Sequence, residues 1–285
     1  MEPVNDQDVR PPEDATALEK LAVEVAREAA ELALAVRDRV VGAGSVADLE
    51  TKSSATDVVT AADRECEALV RERLGALRPD DVVLGEEGGA DAEPSPGQVR
   101  WIVDPIDGTV NYAHGLPWFA VSIGAEADGR PLAGAVVEPV SGRVWSAAAG
   151  HGAQLDGRAL RASALTRPAL AVVATGLNYD PERRRRQAAL LARVADGIGD
   201  VRRQGCASLD LCSVAAGWVD GYYEHGLHHW DWAAGALIAE EAGAVVRRPG
   251  PADADGLGAD AVLAAGPGIA DGLADLLRAH GVHEI

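Results

Sequence analysis

The spacing of apolar residues predicts two long helices near the start of the chain. Between residues 18 and 36, apolar side chains recur every three or four positions, which is the period of an amphipathic helix. We expect this helix to end at the glycines of 42–44. A second helix is predicted over 61–77, after a short extended piece at 58–60 that is rich in β-branched residues.

Short extended runs follow these helices and predict a sheet. Runs at 82–84, 119–125, 132–137 and 144–148 have the length and composition of strands. Asp-Gly and Ser-Gly pairs separate the last three, which indicates hairpins. Residues 88–98 are rich in Gly, Ala, Asp and Pro and predict a mobile loop. The first half is therefore expected to be two helices on an antiparallel-rich sheet.

Beyond Arg167 the pattern alternates between strand and helix, which is typical of an α/β layer. Predicted strands lie at 170–174, 201–203, 219–223, 245–247 and 261–265, and predicted helices lie at 182–194, 209–216, 232–242 and 269–279. We therefore divide the chain into an N-terminal α+β half, 14–166, and a C-terminal α/β half, 167–285. The polar, proline-containing residues 1–13 predict a disordered tail.

Charge and cysteine content narrow the function classes. The 285 residues carry a formal net charge of −19, which argues against general nucleic-acid binding. It does not exclude an anionic substrate, because bound cations can reverse the local field. The three cysteines show no framework spacing, so a reduced, cytoplasmic compartment fits best. No apolar run reaches the roughly 18 residues of a membrane span.

The most informative segment is 101–112, which has the sequence WIVDPIDGTVNY. A short apolar run brings Asp104 to the end of a strand, and a proline and a glycine then force a turn that places Asp107 beside it. Thr109 follows at once. Strand-end aspartates often cap turns, but two carboxylates and a hydroxyl on one tight loop are more than a turn needs.

Two distant stretches supply further carboxylates. Glu86 and Glu87 follow the strand predicted at 82–84, and Asp231 follows Trp230. Carboxylates gathered at strand ends repel one another unless cations lie between them, and Mg²⁺ is the natural cation for ligation by oxygen alone. Glu87 is the member of this set that most resembles a bystander.

Taken in order, the GEE, DPIDGT and WD segments resemble the inositol monophosphatase family of Mg²⁺-dependent phosphomonoesterases. The resemblance runs from about residue 15 to 248, which is most of the chain. It implies a mixed α/β fold, the layered αβαβα sandwich of the inositol monophosphatase and fructose-1,6-bisphosphatase type. It also implies a homodimer, inhibition by lithium, and an active site between the two halves.

The resemblance assigns metal ligands. Glu86, Asp104 and the backbone carbonyl of Ile106 would hold one Mg²⁺ ion, and Asp104, Asp107 and Asp231 would hold a second. A third, weaker ion would share Glu86. Two divalent ions about 3.5–4 Å apart can clamp the attacking and leaving oxygens of an in-line displacement.

The resemblance also assigns the groups that activate water and bind phosphate. Asp63 and Thr109 would form a hydrogen-bonded pair that accepts the proton of a metal-bound water, with Glu86 as the third catalytic residue. The N–H groups of Gly108 and Thr109 at the start of a helical turn would receive phosphate oxygens. Lys52 would lie beside the phosphate.

Substrate selection is expected from the second half of the chain. The resemblance places Gly205, Cys206, Ala207, Glu224 and Asp231 against the substrate, with Glu224 accepting hydrogen bonds from sugar hydroxyls. Asp220 would touch the sugar or the neighbouring loop. Cys206 stands where many family members carry Ser or Thr, and a thiol is a poorer hydrogen-bond partner than a hydroxyl. This departure leaves the substrate choice open.

The leading hypothesis is Mg²⁺-dependent hydrolysis of myo-inositol 1-phosphate by a metal-activated water. Histidinol phosphate, fructose 1,6-bisphosphate, 3′-phosphoadenosine 5′-phosphate and NADP are alternative substrates for the same chemistry. A second class of hypothesis is a regulatory partner of transcription or RNA-processing machinery, for which the basic run 183–186 could serve. That run is otherwise expected to be a solvated helix face.

Overall fold

Two long helices begin the fold described by the computed structural model, which covers residues 14–41, 55–250 and 255–285. They are α1, Ala15–Val41, and α2, Ala55–Leu77. The tail predicted at 1–13 and the phosphate contact predicted for Lys52 lie outside the described residues. The extended piece predicted at 58–60 is wrong, because α2 already includes these residues. Each β-branched residue disfavours a helix by only a few tenths of a kcal/mol, which a continuous helix easily offsets.

The first sheet contains eight strands in the order β2-β1-β3-β4-β5-β6-β7-β8, and all neighbours are antiparallel except β1 and β3. Its strands are β1 Val82–Gly85, β2 Gly89–Ala90, β3 Val99–Asp107, β4 Ala120–Ala127, β5 Arg130–Val137, β6 Val144–Ala148, β7 Ala153–Leu155 and β8 Arg158–Ala159. β2 falls inside the loop predicted at 88–98. β7 and β8 form a tight hairpin through Asp156 and Gly157, which both have positive φ.

The second sheet contains five strands in the order β10-β9-β11-β13-β12. Its strands are β9 Val172–Thr175, β10 Asp200–Arg202, β11 Gly221–His225, β12 Val245–Arg247 and β13 Ala261–Ala265. The remaining helices are α3 Thr109–Ala113, α4 Pro181–Val194, α5 Ala207–Ala215, α6 His229–Glu241 and α7 Ala270–Ala279. The predicted alternation of strand and helix is confirmed, with element ends within about three residues of their predicted positions.

Packing arranges these elements in five layers. α1 and α2 cover the outer face of the first sheet, and α4 and α7 cover the outer face of the second. α5 and α6 lie between the sheets and contact both. Accordingly, every residue of α5 is buried, so this helix has no solvent-exposed face. The predicted layered αβαβα sandwich is confirmed.

Close approach of α6 to the first sheet depends on small residues. A methyl group added to Gly134 of β5 would lie 3.0 Å from the Cα of Ala234 on α6. Since α5 and α6 belong to the C-terminal half but pack on the sheet of the N-terminal half, the two halves share one core. Their division at 166/167 stays a prediction.

Candidate active site

A cavity of about 390 Å³ opens between the two sheets. It is lined by ten of the residues predicted for the site, namely Glu86, Asp104, Asp107, Gly108, Thr109, Gly205, Cys206, Ala207, Glu224 and Asp231. Residues more than 140 positions apart in the chain therefore meet at one place. Two predicted residues, Asp63 and Ile106, are buried beneath this surface rather than on it.

A bulge in β3 turns two aspartates toward the same side of the sheet. Asp104 lies opposite Ser122 of β4, whereas Asp107 lies opposite Ala120, so three residues of β3 match two of β4. Side chains alternate between faces along a strand, and residues three apart would normally point in opposite directions. The extra residue corrects this parity, which is why both carboxylates reach the cavity although they are 1% and 8% exposed.

Gly108 makes the turn from β3 into α3. Its φ is 92°, in the left-handed region, and an added methyl group would lie 3.1 Å from the carbonyl oxygen of Trp118. The hydroxyl of Thr109 donates to the carbonyl of Ile106 at 3.3 Å, not to Asp63. One carboxylate oxygen of Asp63 is buried without a hydrogen-bond partner. The predicted Asp63–Thr109 hydrogen bond is therefore not formed in this structure.

The N-terminus of α5 holds the carboxylate of Asp107. The backbone N–H groups of Ala207 and Ser208 donate to it at 3.3 and 2.7 Å, and the thiol of Cys206 donates at 3.2 Å. A helix N-terminus favours negative charge, so α5 orients Asp107 from the other half of the chain. The thiol that is expected to face the substrate therefore also donates a hydrogen bond to Asp107.

Asp231 and Glu86 complete the acidic wall. Asp231 lies in the first turn of α6, where it accepts the N–H of His228 at 2.7 Å as part of a capping box. Glu86 follows β1, and its N–H donates to the carbonyl of Val103 at 3.2 Å. Backbone hydrogen bonds therefore fix the positions of both residues at the edge of the cavity.

Burial and mutual repulsion raise the pKa values of these acids. Burial raises the pKa of Asp63 to about 8, and the charge of Glu86 contributes. Burial, followed by the charge of Asp107, raises the pKa of Asp231 to about 8, and burial raises that of Glu86 to about 7. The pKa of Asp104 is raised well above its usual range by burial and by the charges of Asp107 and Glu86. A cation among these groups would relieve both costs.

The donor chemistry of this wall fits a hard divalent cation. All candidate donors are oxygens, as Mg²⁺, Mn²⁺ and Ca²⁺ prefer, and one of the Asp63 oxygens has no partner. Over the described ranges, no three His, Cys, Asp or Glu side chains already stand in an arrangement that could hold a metal ion. The fit therefore rests on the kind of donor and on the raised pKa values.

Glu224 supplies a further carboxyl group to the cavity. Tyr222 donates its hydroxyl to Glu224 at 2.8 Å, and burial raises the pKa of Glu224 to about 7. A methyl group added to Gly176 would lie 1.9 Å from the Glu224 carboxyl, so only glycine leaves room for it. Asp220 does not line the cavity. It accepts from Ser163 and from the N–H of Val172 instead.

Seven further residues line the cavity and were not predicted from the sequence. They are Leu177, Asn178, Tyr179, Arg203, Gly226, Leu227 and His228. Arg203 is exposed and donates to the carbonyl of Leu177 at 3.5 Å. Among the described lining residues it is the only one with a permanent positive charge. Its position two residues before the Gly205–Ala207 stretch is the only sequence signal that could have identified it.

Acids from the ends of β1 and β3 and from the first turn of α6 surround one cavity, beside a glycine-led turn. This site, set between two sheets in a five-layer sandwich, defines a class of phosphatase. The chain belongs to the inositol monophosphatase family, whose sequence model matches residues 14–281. None of the helices in the described ranges combines the length and apolarity needed to cross a membrane.

Individual relatives agree with this assignment. The inositol-1-monophosphatase of Mycobacterium leprae is 48% identical over 290 residues, covering 96% of this chain and 98% of that protein. The solved structure of Mycobacterium tuberculosis SuhB has a TM-score of 0.78 and 43% identity, covering 94% of this chain and 99% of its own. The Nus factor SuhB of Vibrio cholerae is 39% identical over 197 residues, covering 69% of this chain and 73% of that protein.

Proposed function

We propose that this protein is a Mg²⁺-dependent phosphomonoesterase that hydrolyses myo-inositol 1-phosphate to inositol and phosphate. The observation that carries the proposal is the convergence of Glu86, Asp104, Asp107 and Asp231 on one cavity, with raised pKa values. Family membership and the names of the mycobacterial relatives support the phosphatase class.

The acids would act as metal ligands. Glu86, Asp104 and the carbonyl of Ile106 would hold one ion, and Asp104, Asp107 and Asp231 a second, with a third weaker ion sharing Glu86. Bound Mg²⁺ would supply positive charge for the phosphate and bring a coordinated water toward a pKa of about 7.

The remaining groups have roles that follow from their surroundings. The N–H groups of Gly108 and Thr109, at the start of α3, would receive phosphate oxygens. Asp63 would accept the proton of the attacking water, since one of its oxygens has no other partner. For this pair to act as predicted, the Thr109 hydroxyl would have to turn from Ile106 toward Asp63. Lys52 would lie beside the phosphate, as the family resemblance implies.

The leaving group would lie between Glu224 and Arg203. The Glu224 carboxylate can accept hydrogen bonds from polyol hydroxyls, and the Arg203 guanidinium can donate to them. The Cys206 thiol donates to Asp107, a proposed metal ligand. A cysteine in place of Ser or Thr at this position would therefore affect the metal site as well as the substrate contact. Other small phosphorylated substrates, namely histidinol phosphate, fructose 1,6-bisphosphate, 3′-phosphoadenosine 5′-phosphate and NADP, stay as alternatives.

Purified protein tested on this panel, with phosphate release measured in Mg²⁺ and in EDTA, addresses the proposal directly. We expect inositol 1-phosphate to give the highest kcat/KM and EDTA to abolish turnover. Asp104→Asn should reduce Mg²⁺-dependent turnover by at least about 10³-fold with an unchanged circular dichroism spectrum. Wild-type turnover in this folded variant would refute the metal assignment.

We also propose a homodimer in the cytoplasm that is inhibited by lithium. A regulatory role in transcription is the second candidate, because three relatives, from Vibrio cholerae, Pasteurella multocida and Haemophilus influenzae, are named Nus factor SuhB. The basic run 183–186 gives that role little support. Arg183 pairs with Asp260, Arg185 pairs with Glu182, and Arg186 donates to a backbone carbonyl. Co-purification with RNA polymerase, compared with the phosphatase assay, separates the two functions.

A further inference from the structure

A buried glutamate on α2, Glu67, grips the turn that carries Glu86. Glu67 is only 3% exposed. Its two carboxylate oxygens accept hydrogen bonds from the backbone N–H groups of Glu87 and Gly88 at 2.8 and 2.9 Å. The two residues that directly follow Glu86 are therefore tied to α2. Carboxylate-to-amide hydrogen bonds are among the stronger ones in proteins, since the acceptor is charged.

The same carboxylate explains both glycines of this turn. A methyl group added to Gly85 would lie 2.4 Å from the Glu67 carboxyl carbon, and one added to Gly88 would lie 2.7 Å from its Oε1. Neither glycine has a φ in the left-handed region, so backbone freedom is not the reason for them. They are small because Glu67 packs directly against the backbone on both sides of Glu86.

Arg71 holds the glutamate from the other side. Its Nε donates to Glu67 Oε1 at 2.8 Å, and its two terminal nitrogens donate to Asp91 at 2.5 Å and to the carbonyl of Gly89 at 2.7 Å. The arginine is half-buried, with 22% of its side chain exposed. The buried charge of Glu67 is thus paired, and the pair is fastened to β2 at the far end of the turn.

Glu67 lies next to Asp63 on α2. Asp63, Glu67 and Arg71 are spaced four residues apart, so they lie along one face of the helix. After burial, the charge of Glu86 contributes most to the raised pKa of Asp63, so the two carboxylates lie near each other. One helix face therefore carries the proposed water-activating acid and, one turn later, the group that fixes the loop of a proposed metal ligand.

We propose that Glu67 is a positioning residue for the metal site: it fixes Glu86 relative to Asp63 and Asp104. The inference rests on the proposed function, and Glu67 itself touches neither metal nor substrate. Outer-shell partners of metal ligands commonly change metal affinity by 10–100-fold when removed. In Glu67→Gln one acceptor oxygen becomes an NH₂ group that faces a backbone N–H, so one hydrogen bond is lost and the turn must shift.

Direct Mg²⁺ binding by titration calorimetry, without substrate, tests this role. We expect Glu67→Gln to weaken Mg²⁺ binding by about 10-fold and to raise the Mg²⁺ concentration for half-maximal phosphate release by a similar factor. kcat at saturating Mg²⁺ should stay within about 3-fold. The matched control is Glu72→Gln, an exposed glutamate on the same helix, which should bind Mg²⁺ like wild type.

Arg71→Lys provides a second variant if Glu67→Gln does not fold. It keeps the charge but replaces a three-way donor by a single ammonium, and we expect about 3-fold weaker Mg²⁺ binding. Wild-type Mg²⁺ affinity in whichever of these variants folds would overturn the inference, even if its Tm were lower. If the wild-type protein itself bound no Mg²⁺ and released no phosphate, both the proposed function and this inference would be refuted.

Discussion

Asp231→Asn is expected to stabilise the metal-free protein while removing its Mg²⁺-dependent activity. Asparagine has the same shape, and its carbonyl oxygen can still accept the His228 N–H that Asp231 accepts at 2.7 Å, so the cap of α6 is kept. The substitution removes only the charge. That charge is unfavourable without metal, because burial and Asp107 raise the pKa of Asp231 from 3.8 to about 8.

The sign and size follow from proton linkage. The folded protein binds the Asp231 proton more tightly than the unfolded chain, so stability is full below pH 4 and is lost as pH rises toward 8. One pH unit in this window corresponds to roughly 1.4 kcal/mol, which gives an upper limit of about 4 kcal/mol at pH 7. Asp107 and Glu86 share this titration, so we expect a gain of about 1–3 kcal/mol in the variant, or roughly 2–6 °C in Tm.

Thermal unfolding in EDTA between pH 4.5 and 8 measures the effect. We expect the Tm of Asp231→Asn to exceed that of wild type at pH 8 and to meet it near pH 4.5. Excess Mg²⁺ should then raise the Tm of wild type more than that of the variant. The matched control is Asp271→Asn, an exposed acid in the first turn of α7, which should show neither effect. A variant less stable than wild type at pH 8 in EDTA would refute the reasoning.

Three further predictions concern the substrate end and a buried histidine. Arg203→Gln should raise KM for the phosphorylated substrate by about 3–10-fold with little change in kcat, and an unchanged KM in steady-state kinetics would exclude its role. Gly176→Ala should displace the Glu224 carboxyl, lower kcat/KM by at least about 10-fold and destabilise the fold by about 1–3 kcal/mol, as urea unfolding would show. His225 is buried, with its Nε2 2.7 Å from the Leu257 carbonyl, and burial lowers its pKa. Below about pH 6.5 the unfolded chain therefore binds a proton at this histidine more readily than the folded protein does. The contribution of His225 to stability should therefore fall as pH drops from 7 to 5, against the opposite trend set by the acids with raised pKa values. In urea unfolding, the stability of His225→Gln relative to wild type should be higher at pH 5 than at pH 7, and an unchanged difference would refute the argument.

The sequence determined the elements whose signals are local. The apolar period of α1 and the strand–helix alternation after Arg167 depend on residues a few positions apart, and both predictions are confirmed. The DPIDGT segment likewise predicted the turn at Gly108, because glycine permits the positive φ found there. The strand end predicted at Asp104 is wrong, since β3 continues through Pro105 to Asp107 and the proline lies in the bulge. The start of α2 was misjudged since β-branched residues at 58–60 favour a strand only weakly.

Only the tertiary structure decided which groups support the acids. Cys206 contacts Asp107 across 99 positions, and Glu67 contacts the N–H of Glu87 across 20. No periodicity or local motif encodes such pairs. Even the shared direction of Asp104 and Asp107 depends on a bulge against β4. The sequence named most of the acids, but their surroundings arise because two sheets enclose α5 and α6, and burial at that interface is what raises the carboxyl pKa values.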